Sequence, residues 1–498
     1  MSQHLLKKKV GWPYVFATFM FVSLGLGASR PAQDPDLVTV FRQIDQEVTA
    51  RSEAYQRLGE SIDQIGHRLT ASENGAKAEQ YVFDLLKSYG FTDVRFQEFE
   101  VNGWIRERMD LHIHHGSTSN ALPAVALALT PAHAELRGEL VDMGNGLEED
   151  YLADPNRVRG KVVLAALGIL PGSPEGTRNI HRSAKVTLAI QHGAKGIILF
   201  NQVAGGTLLT GTASIDGTLL PIPALSVGLE DGMALKERLA TGEKLSADVN
   251  MSNRTGKMKA RNIVARIQGS DLAQEKIVVG GHLDSWDLSP GAVDNGLGSF
   301  SVIDMARTFK ALNLKPRRTV EFVLFMGEEQ GLLGSKAYVQ AAQAREELDQ
   351  IRFMLNFDMT NDPKHFTATR AEARALFSQI SDAVIAVNAN FKNQFNPRAG
   401  LYSDHQPFML QGIPTGGAAG GSLSREALNC YHADCDVFSL VNDDEMRNTV
   451  RFGAMLAFGL AQAEQIPVPR LEDDAIRQMM LDNNLEESLR IGGDWRWD

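Results

Sequence analysis

The sequence predicts an α/β protein with three layers, in which a mostly parallel central sheet is covered by helices and interrupted by an inserted β-rich domain. Two observations support this class. From about residue 260 onward, apolar strand-like runs and helical stretches alternate strictly. Between residues 123 and 253 the pattern changes to short β-like runs that are separated by glycines. At 498 residues the chain also exceeds the size at which one hydrophobic core usually stops growing.

The first elements along the chain are expected to be helices. Residues 37–65 carry apolar side chains at helical spacing without a turn signal, so a helix is expected there. A second helix should follow Ser72 and end at Gly90, because glycine commonly terminates helices. Strand character then appears at 94–101, which suggests the first layer of an α/β domain.

The stretch from 123 to 253 is interpreted as a separate domain that faces the substrate or another partner. Its β-like runs begin at Gly138, Gly160, Lys195, Ala224 and Leu245. Helical stretches are expected at 183–192 and 229–239. The acids and histidines of this stretch are scattered, so they do not indicate a reaction centre of their own.

The last part of the chain predicts a parallel sheet that is covered on both faces, with function at the carboxyl ends of its strands. Strands are expected at 277–281, 318–326 and 353–357. Helices are expected at 298–312, 332–348, 371–389 and 444–462. The tail from Pro467 has no clear role. The predicted domain boundaries are 1–29, 30–122, 123–253, 254–466 and 467–498.

The N-terminus has the order of a secretory signal peptide. Three lysines at 7–9 precede an apolar stretch at 10–26 and small residues up to Ser29, so cleavage after Gly27 or Ser29 would export the protein to the periplasm or the medium. An uncleaved membrane anchor is the alternative, although no later segment is apolar enough to span a membrane. Cleavage lowers the net charge from −11 to −14, since it removes three lysines. Such an acidic protein is not expected to bind nucleic acid.

Five residues with metal-binding side chains lie at the ends of apolar runs. They are His282, Asp294, Glu329, Asp358 and His432. Three carboxylates and two imidazoles suit a pair of zinc-like ions with one bridging carboxylate. Each residue taken alone has an ordinary alternative, because a single buried histidine is usually a core residue and Asp-Asn-Gly is usually a turn. The set therefore predicts a two-metal hydrolase.

Neighbouring polar residues suggest how the chemistry would be divided. Asp284 can accept a hydrogen bond from His282 or orient its neighbours. The adjacent carboxylates of Glu328 and Glu329 would repel unless a cation lies between them. We therefore expect Glu328 to stay unligated, to take a proton from metal-bound water and to pass it to the leaving amine. A solvated acidic helix start is the alternative for this pair. The Ser-Asp-His run at 403–405 is expected to shape the pocket floor.

The loop around His432 contains four further candidates. Asp436 could accept a hydrogen bond from His432, and Tyr431 could reach the substrate. Cys430 and Cys435 bracket the histidine, so in an exported protein a disulfide would restrain this loop. Two buried thiols are the alternative, and cysteine as a metal ligand is the weakest interpretation beside so many carboxylates.

The ordered motifs resemble those of the co-catalytic zinc peptidases, a family that includes bacterial leucyl aminopeptidases. The motifs are Gly-Ala-Val-Asp-Asn-Gly at 291–296, Gly-Glu-Glu-Gln-Gly-Leu-Leu-Gly-Ser at 327–335, Ser-Asp-His-Gln-Pro-Phe at 403–408 and Gly-Ile-Pro at 412–414. Within that family, residues 280–287 and 67–74 are most similar to the carboxypeptidase Q branch. The resemblance covers about residues 40–465. Val437 stands where relatives often have threonine.

The resemblance implies a zinc-peptidase fold that is interrupted by a protease-associated domain. It also implies two Zn²⁺ per chain, with His282 and Asp358 on one ion, Glu329 and His432 on the other, and Asp294 bridging. A cis peptide after Asp294, secretion and a homodimer follow from the same resemblance. No stable membrane insertion is expected after the leader is cleaved.

The expected activity is exopeptidase cleavage of dipeptides or short peptides with free termini, so a peptide is the expected substrate. An aminopeptidase of broader specificity in the same family is the first alternative. A catalytically inactive, receptor-like binding protein is a second alternative, although the complete ligand set argues against it. A one-zinc glutaminyl cyclase of the same fold is a third, but it would not need all of the candidate ligands.

Overall fold

The computed structural model describes residues 36–214 and 217–497, so the predicted leader at 1–29 lies outside the described residues. The helices are α1 Leu37–Arg51, α2 Ala54–Ile65, α3 Glu73–Ser88, α4 Glu148–Leu152, α5 Arg182–Gln191, α6 Leu229–Ala240, α7 Gly298–Ala311, α8 Leu333–Ala344, α9 Arg374–Ile385, α10 His405–Met409, α11 Arg425–Asn429, α12 Asp443–Gln462, α13 Asp473–Asp482 and α14 Glu486–Ile491. The strands are β1 Val94–His115, β2 Thr118–Ala121, β3 Ala124–Ala126, β4 His133–Asp142, β5 Val162–Ala166, β6 Gly196–Phe200, β7 Ala224–Val227, β8 Leu245–Ile267, β9 Leu272–His282, β10 Arg318–Phe325, β11 Ile351–Asn356, β12 His365–Ala368 and β13 Thr415–Ala419. None of these helices combines the length and the apolar character that a membrane span requires.

The described strands form one 13-stranded sheet. Its main path runs β12-β13-β11-β9-β10-β8-β4-β5-β6-β7-β3, while β1 pairs with β8 and β2. In the peptidase half, strands β9, β10, β11 and β13 are parallel to one another, whereas β12 and β8 pair antiparallel at the two ends of this group. In the other half, β4 to β7 are parallel to one another. The predicted α/β class with a mostly parallel central sheet is confirmed.

The long strands β1 and β8 connect the two halves of the sheet. The last part of β8 pairs with β10, where Val264 lies opposite Val323, and its first part pairs with β4, where Leu136 lies opposite Val249. β1 pairs antiparallel with β8 along nearly its whole length. The prediction of a strand at 94–101 was too short, because the second half of β1 is held by its antiparallel partner β8, where Asn102 lies opposite Lys257 and His115 lies opposite Leu245.

The predicted helix at 37–65 is two helices in the structure. The chain breaks at Ser52 and Glu53, where both residues turn toward the buried carboxylate of Asp304. The Ser52 hydroxyl donates to Asp304 at 2.8 Å and the Glu53 N–H donates to it at 3.2 Å. These contacts satisfy a buried acid that also pairs with Arg307. A contact 252 residues away in sequence therefore overrides the local helical pattern.

Two hydrophobic layers enclose the peptidase half of the sheet. On one face, α1, α7 and α12 pack over the strands, and Phe300, Phe309 and Val279 lie in this core. Val278 points to the opposite face, where it packs with Tyr338 and Phe408 beneath α8 and α10. Full burial of each such large side chain contributes roughly 1.5–3 kcal/mol. Successive side chains of β9 are thus buried on opposite faces of the sheet, and this packing fixes the position of the carboxyl end of the strand.

The tail, for which the sequence suggested no role, forms part of the peptidase half. Helices α13 and α14 bury Ile476, Met480 and Leu489 against Met409 and Leu410. The tail therefore supports the 403–410 segment from outside the sheet.

Candidate metal centre

Each of the five predicted ligands lies at a place where a regular element ends. His282 is the last residue of β9, Glu329 follows β10, and Asp358 follows β11. Because these neighbouring strands are parallel, their carboxyl ends meet at one edge of the sheet. Asp294 lies in the irregular turn that precedes α7, and His432 lies in the loop after α11. The structure brings all five side chains together.

Asp294 lies between the two imidazoles. Its Oδ1 is 3.3 Å from Nε2 of His282, which is also 3.4 Å from Oδ1 of Asp358. Its Oδ2 is 3.1 Å from Nε2 of His432, which is also 3.0 Å from Oε2 of Glu329. The five residues thus form two groups of three that share one carboxylate. This arrangement matches the ligand division that the resemblance implies.

The hydrogen bonding of the cluster is incomplete in a way that fits a cation. Asp294 and Glu329 are 5% and 6% exposed, yet Oε1 of Glu329 has no hydrogen-bond partner among the described residues, and Oδ2 of Asp294 has only the close approach of the His432 imidazole at 3.1 Å. Buried carboxylate oxygens are rarely left without a partner. Ligand atoms of His282, Asp294 and Glu329 all lie within 4.8 Å of one another. Imidazole nitrogen and carboxylate oxygen are the ligands that zinc accepts, so these residues fit the ion.

The cluster contains more carboxylates than imidazoles, and this excess of negative charge raises the pKa values of both imidazoles. Burial alone would lower the pKa of both imidazoles, but Glu328 and Asp358 raise that of His282 well above its usual value. Glu329 and Asp294 likewise raise the pKa of His432 to about 9. Burial, together with Asp294, raises the pKa of Glu329 to about 7. Protonated imidazoles therefore supply the positive charge that a divalent cation would otherwise bring.

Two family models match this chain. The model of peptidase family M28 matches residues 262–457, which contain every member of the cluster. The PA domain model matches residues 136–235, within the predicted inserted domain.

Alignments with similar proteins extend over most of the chain. Carboxypeptidase Q of Rattus norvegicus is 25% identical over 432 residues, which are 84% of this chain and 87% of that protein. The probable leucine aminopeptidase 2 of Aspergillus oryzae is 30% identical over 370 residues, which are 70% of this chain and 68% of that protein. The chain belongs to peptidase family M28.

The fold agrees with this family. A peptidase M28 precursor from Shewanella amazonensis has a TM-score of 0.74 to this chain at 22% identity, and the match covers 88% of this chain and 99% of that one. This M28 chain is therefore a metallopeptidase whose peptidase domain is interrupted by a PA domain.

Asp284 supports the cluster of this M28 peptidase through the backbone. Its carboxylate accepts the N–H groups of Glu328 at 3.2 Å and Glu329 at 3.4 Å. Nδ1 of His282 lies 3.1 Å from the carbonyl oxygen of Asp284 and 3.6 Å from its carboxylate. Burial raises the pKa of the Glu328 carboxyl well above its usual range, and Asp358 and Glu329 add to this shift while His282 opposes it. Glu328 thus belongs to neither ligand group, and its raised pKa favours the protonated carboxyl in the zinc-free protein.

Asp436 has different partners from the one that the sequence suggested. Its two oxygens accept the N–H groups of Val293 at 2.8 Å and Asp294 at 2.9 Å, whereas Nδ1 of His432 has no hydrogen-bond partner in the described ranges. The turn before α7 leaves these N–H groups without helical partners, so the carboxylate fills that need. Asp436 therefore positions Asp294 rather than His432.

The remaining predicted residues of the His432 loop lie beside the histidine. The Tyr431 ring stacks on the imidazole with 3.9 Å between ring centroids, and 43% of this tyrosine is exposed. Cys430 and Cys435 are joined in a disulfide, which closes the loop that contains His432. The tyrosine is thus open to a ligand, while the histidine beneath it is held.

Asn295 is a site residue that the sequence analysis missed. It follows Asp294 through a cis peptide bond, which the resemblance implies. Its side-chain amide donates to the carbonyls of Phe357 at 3.0 Å and His282 at 3.3 Å, and its oxygen accepts the N–H of Met359 at 3.0 Å. Asn295 therefore ties together three segments that carry ligands. The Asp-Asn-Gly motif was the available signal, but its asparagine also suits an ordinary turn.

Arg68 is a second missed residue. It is fully buried and donates to the carbonyls of Leu283 at 2.6 Å, Pro290 at 2.6 Å and Gly291 at 2.9 Å. Burial lowers its pKa to about 10, although Asp436 and the other nearby carboxylates oppose that shift. Arg68 stays charged at neutral pH and holds the segments on both sides of the cluster. In the sequence only the resemblance at 67–74 distinguishes it.

The 403–405 segment lies beneath the Asp358 side of the cluster, as the sequence suggested. The Ser403 hydroxyl donates to Oδ2 of Asp358 at 2.6 Å and accepts from the Asn356 amide at 2.7 Å. Asp404 is fully buried, and burial raises its pKa to about 7. His405 begins the short helix α10. Ser403 thus fixes one carboxylate of the cluster.

The inserted domain contacts the His432 loop directly. The Thr210 N–H donates to the carbonyl of His432 at 2.9 Å, and the Thr210 hydroxyl accepts from Arg106 at 2.8 Å. Arg106 also pairs with Asp287 at 2.6 Å, just beyond the His282 motif. A segment of the PA domain is therefore clamped between two loops of the metal centre.

Proposed function

We propose that this M28 peptidase is a two-zinc exopeptidase that hydrolyses dipeptides or short peptides with free termini. The observation that carries the proposal is the position of Asp294 between His282 and His432, with one carboxylate oxygen toward each imidazole. Asp358 and Glu329 complete the two groups. Each group offers one nitrogen and two carboxylates, a set that suits a catalytic zinc with open positions.

Two zinc ions held by these residues would polarise the peptide carbonyl and lower the pKa of the attacking water to roughly 7. Glu328 would accept a proton from the attacking water and deliver it to the leaving amine. Its raised pKa suits a group that must both accept and release a proton near neutral pH. Asp284 keeps Glu328 in place through the backbone N–H.

A broad-specificity aminopeptidase is the second candidate. It is supported by the relative from Aspergillus oryzae, whose name is probable leucine aminopeptidase 2 and which is 30% identical to this chain. The similarity to carboxypeptidase Q supports the first candidate over a longer part of the chain. The two candidates share the same chemistry and differ in the terminus of the peptide that the pocket binds.

Export and a homodimer belong to the same proposal. The order of charged, apolar and small residues at 1–29 supports a cleaved leader. The disulfide between Cys430 and Cys435 suits an oxidising compartment. Mass spectrometry of the secreted protein tests the cleavage site, and light scattering tests the dimer.

The decisive experiment combines metal analysis with a peptide panel. The protein is purified without added metal, its metal content per chain is measured, and it is then tested on a dipeptide with free ends, an acetylated form and an amidated form. We expect two zinc ions per chain and the highest kcat/KM for the free dipeptide. A metal-loaded protein that cleaves none of these peptides would refute the exopeptidase. Equal cleavage of the free and amidated forms would favour the aminopeptidase.

A further inference from the structure

The tail makes a hydrogen bond to a buried residue of the short helix α10. Oδ2 of Asp494, which lies just beyond α14, accepts from the side-chain amide of Gln406 at 2.8 Å. The other oxygen of Asp494 lies 3.6 Å from Nζ of Lys336, and the N–H of Asp494 donates to the carbonyl of Leu489 at 2.9 Å. Gln406 is only 4% exposed. A residue of the tail therefore satisfies a buried amide of the peptidase half.

Gln406 also contacts the turn that precedes its helix. Its Oε1 accepts the N–H of Tyr402 at 2.8 Å, and its own N–H donates to the carbonyl of Ser403 at 2.9 Å. Tyr402 has a φ of +68°, in the left-handed region that residues other than glycine seldom adopt. Such a conformation persists only where the surrounding structure fixes it. Because Tyr402 is 60% exposed, the hydrogen bond to Gln406, rather than burial, holds this turn.

The same turn contains the hydroxyl that orients Asp358. Ser403 donates to Oδ2 of Asp358 at 2.6 Å, while Oδ1 of the same carboxylate lies 3.4 Å from Nε2 of His282. The Asp358 side chain is 22% exposed, whereas those of the other four predicted ligands are at most 7% exposed. Burial therefore constrains Asp358 least, and its orientation depends more on the hydrogen bond from Ser403.

The second ligand group is held differently. His432 lies in the loop that a disulfide closes, and the N–H of Glu329 donates to Asp284 at 3.4 Å. The side chains of His432 and Glu329 are 7% and 2% exposed. A change in the tail should therefore act on the ligand group that contains Asp358 more than on this one.

Other contacts attach the tail to α10 independently of Asp494. Ile476 packs in one hydrophobic cluster with Met409 and Leu410. Arg496 donates to the carbonyl of Leu410 at 2.8 Å. A substitution of Asp494 should therefore leave the tail in place and remove only its hydrogen bond to the peptidase half.

We propose that Asp494 of the tail is a positioning residue of the metal centre. Through the Gln406 amide it fixes the turn that contains Ser403, whose hydroxyl holds Asp358 in place. The tail thereby raises the affinity of the Asp358 ligand group for its zinc ion. Groups that orient metal ligands typically change metal affinity by about 10–100-fold. This inference rests on the proposed two-zinc function and adds the tail to the metal centre.

The test measures the two zinc dissociation constants of six proteins by competition with a chromogenic chelator. The proteins are the wild type, Asp494→Ala, Asp494→Asn, Ser403→Ala, the double variant Ser403→Ala/Asp494→Ala, and Glu486→Ala. Glu486 is the matched control, because its carboxylate belongs to the tail but pairs with Arg490 at 2.9 Å. Thermal melting of each zinc-free protein is recorded as well.

Asp494→Ala should weaken the binding of one zinc ion by about fivefold and change that of the other by less than about twofold, since it acts on the ligand at one remove. Ser403→Ala should weaken the same ion by about tenfold or more. Asp494→Asn should match the wild type, because its amide oxygen still accepts from Gln406. Glu486→Ala should match the wild type too.

The double variant shows whether the tail acts through Ser403. If it does, Asp494→Ala has no further effect once the hydroxyl is gone, so the double variant should bind zinc as Ser403→Ala does. A tail that only stabilises the fold would instead give independent effects that multiply, together with a lower melting temperature.

Two kinds of result would overturn the proposal while the two-zinc centre would stand. Asp494→Ala could keep both wild-type zinc constants, or it could weaken both ions equally. Multiplied effects in the double variant would likewise show that Ser403 does not transmit the effect of the tail. By contrast, a wild type that binds no zinc would refute the proposed function and, with it, this inference.

Discussion

Two sets of residues next to the metal centre, here called the floor and the wall, contain buried charged groups. In the floor, every charged group forms its hydrogen bonds within the protein, whereas the wall contains an arginine with terminal nitrogens that have no partner among the described residues. The floor consists of Arg68, Asp284 and Asp436. The wall consists of Arg182 and Thr210 of the PA domain, with Arg106 behind them. In the floor, the guanidinium meets three carbonyls and each carboxylate accepts two backbone N–H groups. In the wall, the Nε of Arg182 donates to the carbonyl of Thr212, and its two terminal nitrogens make no hydrogen bond to any residue that the structure describes.

This difference separates positioning from recognition. Groups whose hydrogen bonds are complete within the protein fix the backbone around the ligands, and a substrate gains nothing from them. Groups with unused donors can contribute to binding only when a ligand arrives. Changes in the floor should therefore alter folding or metal affinity, and changes in the wall should alter KM and selectivity.

The largest effect should come from Glu328→Gln, which belongs to neither region. The substitution leaves the hydrogen bond from the backbone N–H of residue 328 to Asp284 in place. The side-chain amide cannot accept the proton, so kcat should fall by about 10³–10⁴-fold. Zinc content and melting temperature should match the wild type. Stopped assays together with metal analysis check both expectations. Substantial remaining turnover would show that Glu328 does not transfer the proton and that a residue of the floor or the wall does so instead.

Arg68→Met should produce the next largest effect and should act on the fold. It leaves three buried carbonyls without donors, which costs about 3 kcal/mol or more. Denaturant unfolding of the zinc-free protein measures this loss directly. The control is Arg254→Met, because that arginine is largely exposed and should tolerate the change. If Arg68→Met were as stable as the control, the floor would not act as a support.

The sequence predicted which candidate ligands come together better than it predicted the residues around them. His282, Glu329 and Asp358 each follow an apolar run, and the alternation of strands and helices placed those runs side by side. The position of these ligands therefore depends mainly on local pattern and on one topological rule. The helix over 298–312 and the short β-like runs of the inserted domain were predicted for the same reason.

Residues whose partners are distant in sequence could not be predicted in this way. Arg68 contacts carbonyls that lie 215 to 223 residues later, and Asp436 contacts N–H groups about 142 residues earlier. The break after Arg51 likewise depends on a distant carboxylate. A sequence pattern reports burial and periodicity, whereas these contacts depend on how segments meet after folding. Arg182 belongs to the same class, since its helix is predictable but its neighbours are not.

The affinity of the cluster for zinc should depend on pH. Because nearby carboxylates raise the pKa of His432 to about 9, this imidazole is protonated at neutral pH in the zinc-free protein. Zinc must displace that proton, so its affinity should rise with pH up to about 9, by up to about tenfold per unit for each proton. Calorimetry in two buffers with different ionisation heats counts the protons released. Release of none would contradict the raised pKa.

The same shift has a consequence for the zinc-free fold. A folded-state pKa above the ordinary value of 6.5 means that protonation of His432 stabilises the fold fully below that pH. This contribution should then disappear as the pH rises through about 9. Zinc-free protein should therefore be less stable at alkaline pH, whereas zinc-loaded protein should not follow this trend.

Thr210→Val should have the smallest effect, and it tests the wall most directly. Valine has nearly the same shape but removes the hydroxyl that accepts from Arg106, while the backbone bond from residue 210 to His432 remains possible. Loss of one such hydrogen bond costs about 1 kcal/mol, which is roughly fivefold in an equilibrium constant. If the wall recognises substrate, this cost should raise KM for the free dipeptide and leave zinc content unchanged. If the variant instead lost zinc, the Thr210 segment would belong to the floor, and the separation between positioning and recognition would fail at this point.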